Sequence, residues 1–481
     1  MKLRLLGHGE RYAVEQLQLA LFPEEPMEQT DAPFSGDGAV SALHRGKLYL
    51  TATAKITLHG RTVHAARRMK CAQEDISSRR RLLQNAYYAA AMLLRDPPEW
   101  GSLSGVRPTK LTTRHLLAGG TVESAERLLQ ENYHVTPARS RLAAECSLAT
   151  VQAARRLRET DVSLYLGIPF CPTRCAYCSF VSQTTGRQGA LLEPYLDALE
   201  REIEVTARLL RETGRTARTL YIGGGTPTTL STPQLRRLMQ TIRAHFDLSS
   251  LIEYTVEGGR PDTLDPEKLR ALKELGCGRV SINPQTMQSS VLRRIGRCHS
   301  PEQTRTAYLQ AREAGFDAIN MDLIAGLPTD TPAGFADSLS QVLELQPANI
   351  TVHTLALKKG ADLYFSREEL PTAEAVREML TDTEARLRAA GYKPYYLYRQ
   401  KYMSGSFENV GWTKPGFECL YNIYMMEELH SIISLGGGGM TKINLPDGRL
   451  ERLHNPKFPQ QYIARIDDVL AQKAAAAELF R

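Results

Sequence analysis

Between residues 47 and 69, "KLYLTATAKITLHGRTVHAARRM" alternates apolar and polar positions, the period-two pattern of half-buried strands. The next segment, "ISSRRRLLQNAYYAAAMLLRD", changes to helical spacing and stops at Pro97 and Pro98, which cannot continue a helix. "GVRPTKLTTRHLLAGG" and "RSRLAAECSLATVQAARRLRE" read as further turns and helices. Residues 1–155 are therefore expected to form an α+β domain of their own, and nothing in their pattern names a chemistry for it.

From about residue 161 short apolar runs alternate with amphipathic helices. "VSLYLGIPF", "ARTLYIGGG", "EYTVEGG", "RVSINPQ", "AINMDLIAGLP" and "NITVHTLAL" have strand character. Between them lie helices such as "LLEPYLDALEREIEVTARLLRE", "TPQLRRLMQTIRAHF", "PEKLRALKELG" and "PEQTRTAYLQAREAG". About six strand–helix units in succession imply parallel strands with right-handed crossovers, which close or nearly close into a barrel. The expected fold class is α/β, a partial (β/α)6 barrel over residues 156–375. Residues 376–481 add a helix, a tyrosine-rich strand "YKPYYLYRQKY" and "LHSIISLGGGGMTKI", read as a C-terminal cap.

Composition changes little in this picture. With 481 residues and 42% apolar content the chain can bury a large core. No apolar run reaches the ~18 residues of a membrane-spanning helix, and the N-terminus lacks a signal-peptide pattern, so the expected location is the cytoplasm. The formal net charge of +7 reads as mild and spread along the chain, without a Lys/Arg tail that would suggest nucleic acid.

The chemistry lies in "IPFCPTRCAYCSF", which places Cys171, Cys175 and Cys178 within eight positions. The other five cysteines are scattered singly and read as small buried apolar residues. A structural zinc site wants four ligands, usually from two short pairs; a three-ligand zinc site is the alternative reading. Three thiolates suit a 4Fe–4S cluster better, because they leave one iron open to a small molecule. Farther on, "YIGGGTP" sets Gly223, Gly224 and Gly225 directly after a strand, where a backbone without side chains can approach a ligand.

Cys-x3-Cys-x2-Cys with an aromatic before the last cysteine closely resembles the signature of the radical S-adenosylmethionine (SAM) enzymes. "LYLGIPFCPTRCAYCSF", "YIGGGTPT", "TVEGGRPDTL", "GCGRVSINPQTM" and "MDLIAGLP" resemble, in this order, the oxygen-independent coproporphyrinogen III oxidase family. The likeness is greatest to its longer, HemZ-like coproporphyrinogen dehydrogenases, through "GVRPTK" and "YYLYRQKYMSGSFENVG". The resemblance implies that SAM chelates the open iron and is cleaved to methionine and a 5′-deoxyadenosyl radical. It also implies roles for single residues. The "GGGTP" segment, Gly223 to Thr226, receives the amino group of SAM. Tyr165 sits beside the sulfonium. Glu257, Gln285 and Arg297 bind polar groups of SAM, and Asp322 lies near the ribose hydroxyls.

The implied reaction is oxidative decarboxylation of two propionates of coproporphyrinogen III to vinyl groups. The implied partners are this anionic tetrapyrrole and an electron donor such as flavodoxin or ferredoxin, with no nucleic acid. Arg174, Arg260 and Arg399 are candidates to anchor carboxylates. The chain departs from the founding oxidases at Gly167, where they have histidine, and at Phe180, where they have a further cysteine. Related haem carriers share a "HNxxYW" segment; the corresponding "YNIYMM", Tyr421 to Met426, has neither the His nor the Trp. A haem chaperone, an anaerobic haem-degrading methyltransferase and radical modification of RNA are the other readings.

Overall fold

The computed structural model describes every residue except 23, 24, 367, 368, 401–406 and 481. The last residues of the tyrosine-rich stretch and part of "YYLYRQKYMSGSFENVG" thus lie outside the described residues. There are two compact units, Met1–Glu145 with Arg399–Phe407, and Cys146–Tyr398 with Glu408–Arg481.

In the first unit, β1 (Lys2–Leu6), β2 (Glu28–Gln29), β3 (Gly38–Arg45), β4 (Tyr49–Leu58) and β5 (Arg61–Lys70) form a sheet in the order β2-β1-β3-β4-β5. The alternation at 47–69 becomes part of the antiparallel β3–β5 meander. Leu50, Ala52, Ala54 and Ile56 face a core shared with helices Arg11–Leu21 and Ile76–Ala91. Asp75 and Ser78 form a reciprocal capping box at the start of the second helix. The basic excess is not spread. Residues 38–70 carry seven Lys and Arg and no Asp or Glu, as large an imbalance as the +7 of the whole chain. An edge strand with charged side chains resists pairing with other chains, which is one use for this concentration.

In the second unit the strands are β6 (Asp161–Ile168), β7 (Phe170–Cys171), β8 (Gln183–Thr184), β9 (Thr216–Gly224), β10 (Glu253–Glu257), β11 (Arg279–Ser281), β12 (Ala318–Ala325) and β13 (Asn349–Thr354). They continue as β14 (Lys393–Arg399), β15 (Glu408–Thr413), β16 (Ile432–Leu435), β17 (Met440–Asn444) and β18 (Leu450–His454). Six neighbours, β6-β9-β10-β11-β12-β13, are parallel. The C-terminal residues extend this sheet at both sides. β15 pairs antiparallel with β13, while β16 pairs parallel with β6 and leads into β17 and β18.

β6 is covered on both faces: Val162, Leu164, Leu166 and Ile168 are fully buried on one, and Ser163 and Gly167 are buried on the other beside half-buried Tyr165. Helix Leu192–Glu212 returns over the sheet on a stripe of Leu196, Leu199, Ile203 and Leu210. Ser231, Asp265, Ser300 and Thr331 cap the crossover helices with side-chain acceptors. Such caps are worth about 0.5–2 kcal/mol each, and they fix where each loop after a strand must end. No helix among the described residues is long and apolar enough to cross a membrane.

Candidate functional site

The loop with the three cysteines leaves the end of β6 and is pinned on several sides. β7 pairs with β8, closing residues 172–182 into one excursion. Within it the Cys178 N–H donates to the Cys175 carbonyl at 3.0 Å. Ala176, between these cysteines, donates to Ile295 O at 3.0 Å and accepts from Leu363 N at 2.9 Å. Arg260, 2% exposed, donates to Thr173 Oγ1 at 2.7 Å and pairs with Asp262 at 3.2 Å.

Among the described residues the three thiols do not stand together as a preformed metal site. Burial pushes the Cys178 thiol up to about 11; the Phe180 backbone pulls the other way, and charge on Cys175 and Cys171 adds to the rise. Gly225 comes so near this loop that a Cβ there would lie 2.5 Å from Phe170 O and 3.0 Å from Cys171 Sγ. Thr226 donates to that same sulfur at 3.5 Å. Of the five scattered cysteines, Cys146, Cys277 and Cys419 are buried as expected, but Cys71 is only half-buried and Cys298 is exposed.

The strand ends next to this loop carry the other candidate residues. Tyr165 on β6 is in register with Tyr221 on β9. Both rings stack against Tyr421, at 6.1 and 4.5 Å between centroids. Tyr221 Oη donates to Glu257 Oε1 at 2.6 Å, and Gly224 N donates to Oε2 at 3.2 Å. Burial raises Glu257 to about 7 against this hydrogen bonding, with Asp322 adding to the rise. Burial would raise Asp322 as well, but His353, Asn320 and Thr351 hold it below the usual range. Asn320 Nδ2 is 2.7 Å and His353 Nε2 3.7 Å from its carboxylate.

Gln285 has φ +69°, a left-handed backbone held by two bonds to β12: its N–H donates to Asp322 O and its carbonyl accepts from Ile324 N. Its side-chain Oε1 is buried without a hydrogen-bond partner, as is Oδ1 of neighbouring Asn283. Arg297 is buried, 7% exposed. Its guanidinium donates to Asn283 O at 2.7 Å, Gly259 O at 3.3 Å and Tyr177 Oη at 3.1 Å, while Nε has no partner. Burial opposes its charge, and Tyr177 and Cys175 more than offset that.

Every candidate cofactor residue therefore lies in one connected region at the strand ends. His353 and Tyr221 join it without having been singled out from sequence, and so does Tyr421, noted there only as lacking the carriers' histidine. A polar residue near the end of an apolar strand, as in "NITVHTLAL", was the available signal for His353. Arg174 and Arg260 are already engaged with the thiol loop and its neighbours, and Arg399 belongs to the first unit, donating to Leu103 O at 2.6 Å. The departure at Gly167 has a steric partner: a Cβ there would stand 3.0 Å from the Gly437 carbonyl.

Two modest effects follow. Glu257 has a folded value above its ordinary 4.5, so the folded chain prefers it protonated. Its stabilising contribution is complete below about pH 4.5 and is lost as the pH rises toward 7. The thermal midpoint of the cofactor-free chain should fall across that window, and Glu257→Gln should flatten the slope; coincident slopes would contradict the assignment. His353→Ala should weaken SAM binding up to about fivefold, since a partly exposed side chain 3.7 Å from the Asp322 carboxylate contributes roughly 0–1 kcal/mol. Equilibrium titration checks this, and an effect of a hundredfold would mean that His353 touches the ligand itself.

The donor set and its surroundings fit a cluster with a chelating ligand: three free thiols on one braced loop, a side-chain-free approach at Gly225, and buried unpartnered polar atoms on Gln285, Asn283 and Arg297. Residues 165–342 match the Radical SAM superfamily, which places the parallel sheet and its thiol loop in that class. Over 382 residues the chain is 38% identical to the oxygen-independent coproporphyrinogen-III oxidase-like protein HemZ of Bacillus subtilis, covering 78% of this chain and 76% of that protein. It is 34% identical over 284 residues to the heme chaperone HemW of the same organism, covering 58% and 70%. The solved structure of coproporphyrinogen III oxidase (HemN) from Escherichia coli, a radical SAM enzyme, aligns with a TM-score of 0.53 at 28% identity, covering 67% of this chain and 73% of that one. The chain belongs to the radical SAM family of the oxygen-independent coproporphyrinogen-III oxidases and their relatives. Its fold is the expected partial barrel of that family, and its cofactors are a 4Fe–4S cluster and SAM.

Proposed function

We propose that the chain is an oxygen-independent oxidoreductase that converts two propionates of coproporphyrinogen III to vinyl groups, yielding protoporphyrinogen IX for haem biosynthesis. The observation that carries this reading is the 38% identity to the HemZ oxidase-like protein over three-quarters of its length. When bound, the cluster and SAM supply a radical that removes a hydrogen atom. Each propionate then loses that hydrogen, carbon dioxide and one electron, which a separate acceptor must take.

The residues of the chain hold and orient. Cys171, Cys175 and Cys178 ligate the cluster as thiolates, so metal uptake expels the proton that burial favours on Cys178. Gly223, Gly224, Gly225, Thr226 and Glu257 receive the amino end of SAM. Gln285 offers its unpartnered Oε1 to another polar group, and Asp322, kept ionised by His353, takes the ribose hydroxyls. Tyr165 shields the sulfonium from water as part of the tyrosine stack. Arg297 acts mainly as a brace, since its donors join two strand ends to the thiol loop.

The second reading is a haem chaperone, favoured by the identity to HemW. Against it, the histidine position of the carriers' segment holds Tyr421, which is 6% exposed within the tyrosine stack. An anaerobic assay with SAM, a reductant and coproporphyrinogen III separates the readings. Mass spectrometry should show loss of two formic-acid equivalents per porphyrin. Cleavage of SAM with the porphyrinogen returned unaltered would reject the substrate and retain the class; haem methylated or opened would point to the other tetrapyrrole chemistry.

A further inference from the structure

The outside of the thiol loop is built together with two neighbouring segments. Ala176 is hydrogen-bonded to Ile295 on one side and to Leu363 on the other. Ser179 packs on Gly360, whose carbonyl also accepts from Arg174. Beneath them Val291, Ile295, Leu355 and Leu363 form one small core, with Ala176 and Tyr177 packed against it. Loop, helix Ser289–Arg294 and the segment after β13 therefore present a single surface, all within the second unit.

What that surface exposes is unusual. Phe180 is 69% and Phe365 70% exposed, and Tyr364 packs edge-on against Phe365 at 5.1 Å. Large rings left this open, side by side with charge, mark interaction sites more often than packing accidents. The same three segments carry exposed Arg174, Arg293, Lys358 and Lys359. Among the described residues, Asp362 lies 3.8 Å from Arg174, and Glu369 is exposed four positions beyond Phe365. Each cation lies within a few residues of a backbone contact to the stretch between Cys175 and Phe180, so the surface is also a short route to the thiols.

We propose that this rim, with Arg174, Arg293, Lys358, Lys359, Phe180 and Phe365, is the docking surface for an acidic protein carrying a one-electron redox group. The inference rests on the reading that Cys171, Cys175 and Cys178 hold the cluster, and goes beyond it by locating the partner. Charge complementarity selects the occupant. Cations around an apolar centre steer an acidic carrier, and a small interface suits an encounter that must release after one electron. The transfer itself is simple in balance: the carrier is oxidised by one electron and the cluster reduced by one, with no bond made or broken.

The test uses the reconstituted full chain and a reduced flavodoxin as probe. Two variants are compared with the parent, the double reversal Lys358→Glu/Lys359→Glu and Phe365→Ser. Cluster reduction is followed by absorbance and electron paramagnetic resonance, and flavodoxin affinity by titration at low and high salt. Flavodoxin-driven reduction should slow about tenfold or more in the reversal, in keeping with the range of electrostatic steering. The parent rate should fall with added salt, because exposed charges are screened. Reduction by dithionite should be unchanged in both variants. Unchanged flavodoxin affinity and rate in both would overturn the proposal. So would a reversal that instead abolishes self-association or porphyrinogen binding, since the rim would then serve a second copy or the substrate. A parent chain that takes up no cluster would remove the functional reading and this surface together, which is distinguishable from a cluster that forms and ignores the carrier.

Discussion

Cys175→Ala protein, reconstituted anaerobically with iron and sulfide, is expected to lack the 4Fe–4S cluster and to leave SAM uncleaved. Cys171→Ala and Cys178→Ala should behave alike. A cubane held by three thiolates has no spare protein ligand, and no fourth cysteine lies in the loop. Cys277→Ala, Cys298→Ala and Cys419→Ala are the controls. Cys277 is spent on a hydrogen bond to Arg279 O at 3.0 Å, Cys419 sits beside Glu253, and Cys298 faces solvent. These three variants should retain full iron and sulfide, with Cys277→Ala and Cys419→Ala losing about 1 kcal/mol or more of stability from buried volume. A Cys175→Ala chain with a complete cluster would refute the ligand assignment.

Gln285→Ala is expected to weaken SAM binding about ten- to a hundredfold while iron and sulfide stay bound. The buried Oε1 has no partner in the protein, and a hydrogen bond from a charged ligand group is worth about 1.5–3 kcal/mol. The backbone at φ +69° complicates alanine, because left-handed geometry costs an L-residue of order 1 kcal/mol. Gln285→Asn separates the effects: asparagine tolerates that geometry but has a shorter reach, so it should fold like the parent and still bind SAM weakly. Arg297→Ala should differ in kind. It removes donors to Asn283, Gly259 and Tyr177 at once, so it should loosen cluster and SAM together. Parent-like SAM affinity in Gln285→Ala and Gln285→Asn would show that Oε1 faces no ligand.

The thiol loop was legible because its information is local: three cysteines, an aromatic and the preceding strand all lie between residues 161 and 178. The parallel strands were legible for a similar reason, since each reports its own burial through an apolar run and each helix its start through a cap. What pairs across long separations was not. β16 lies beside β6, with Ile432 opposite Ser163, and no periodicity in either segment announces it. Arg297 was expected to bind SAM, and its bracing contacts were hidden because their partners come from three separate segments. Tyr421 read only as a missing histidine, yet its ring completes the stack on Tyr165 and Tyr221. The segments that carry exposed Phe180 and Phe365, 185 positions apart, are joined through Gly360 and Leu363, which no local pattern announces.

The most direct test of the central claim uses coproporphyrinogen III deuterated at the β-carbons of its propionates, in anaerobic turnover with SAM and a reductant. Deuterium is expected in the 5′-deoxyadenosine product, with a mono-vinyl, three-propionate porphyrinogen at early times and protoporphyrinogen IX later. Unlabelled 5′-deoxyadenosine with the four propionates intact would contradict the claim.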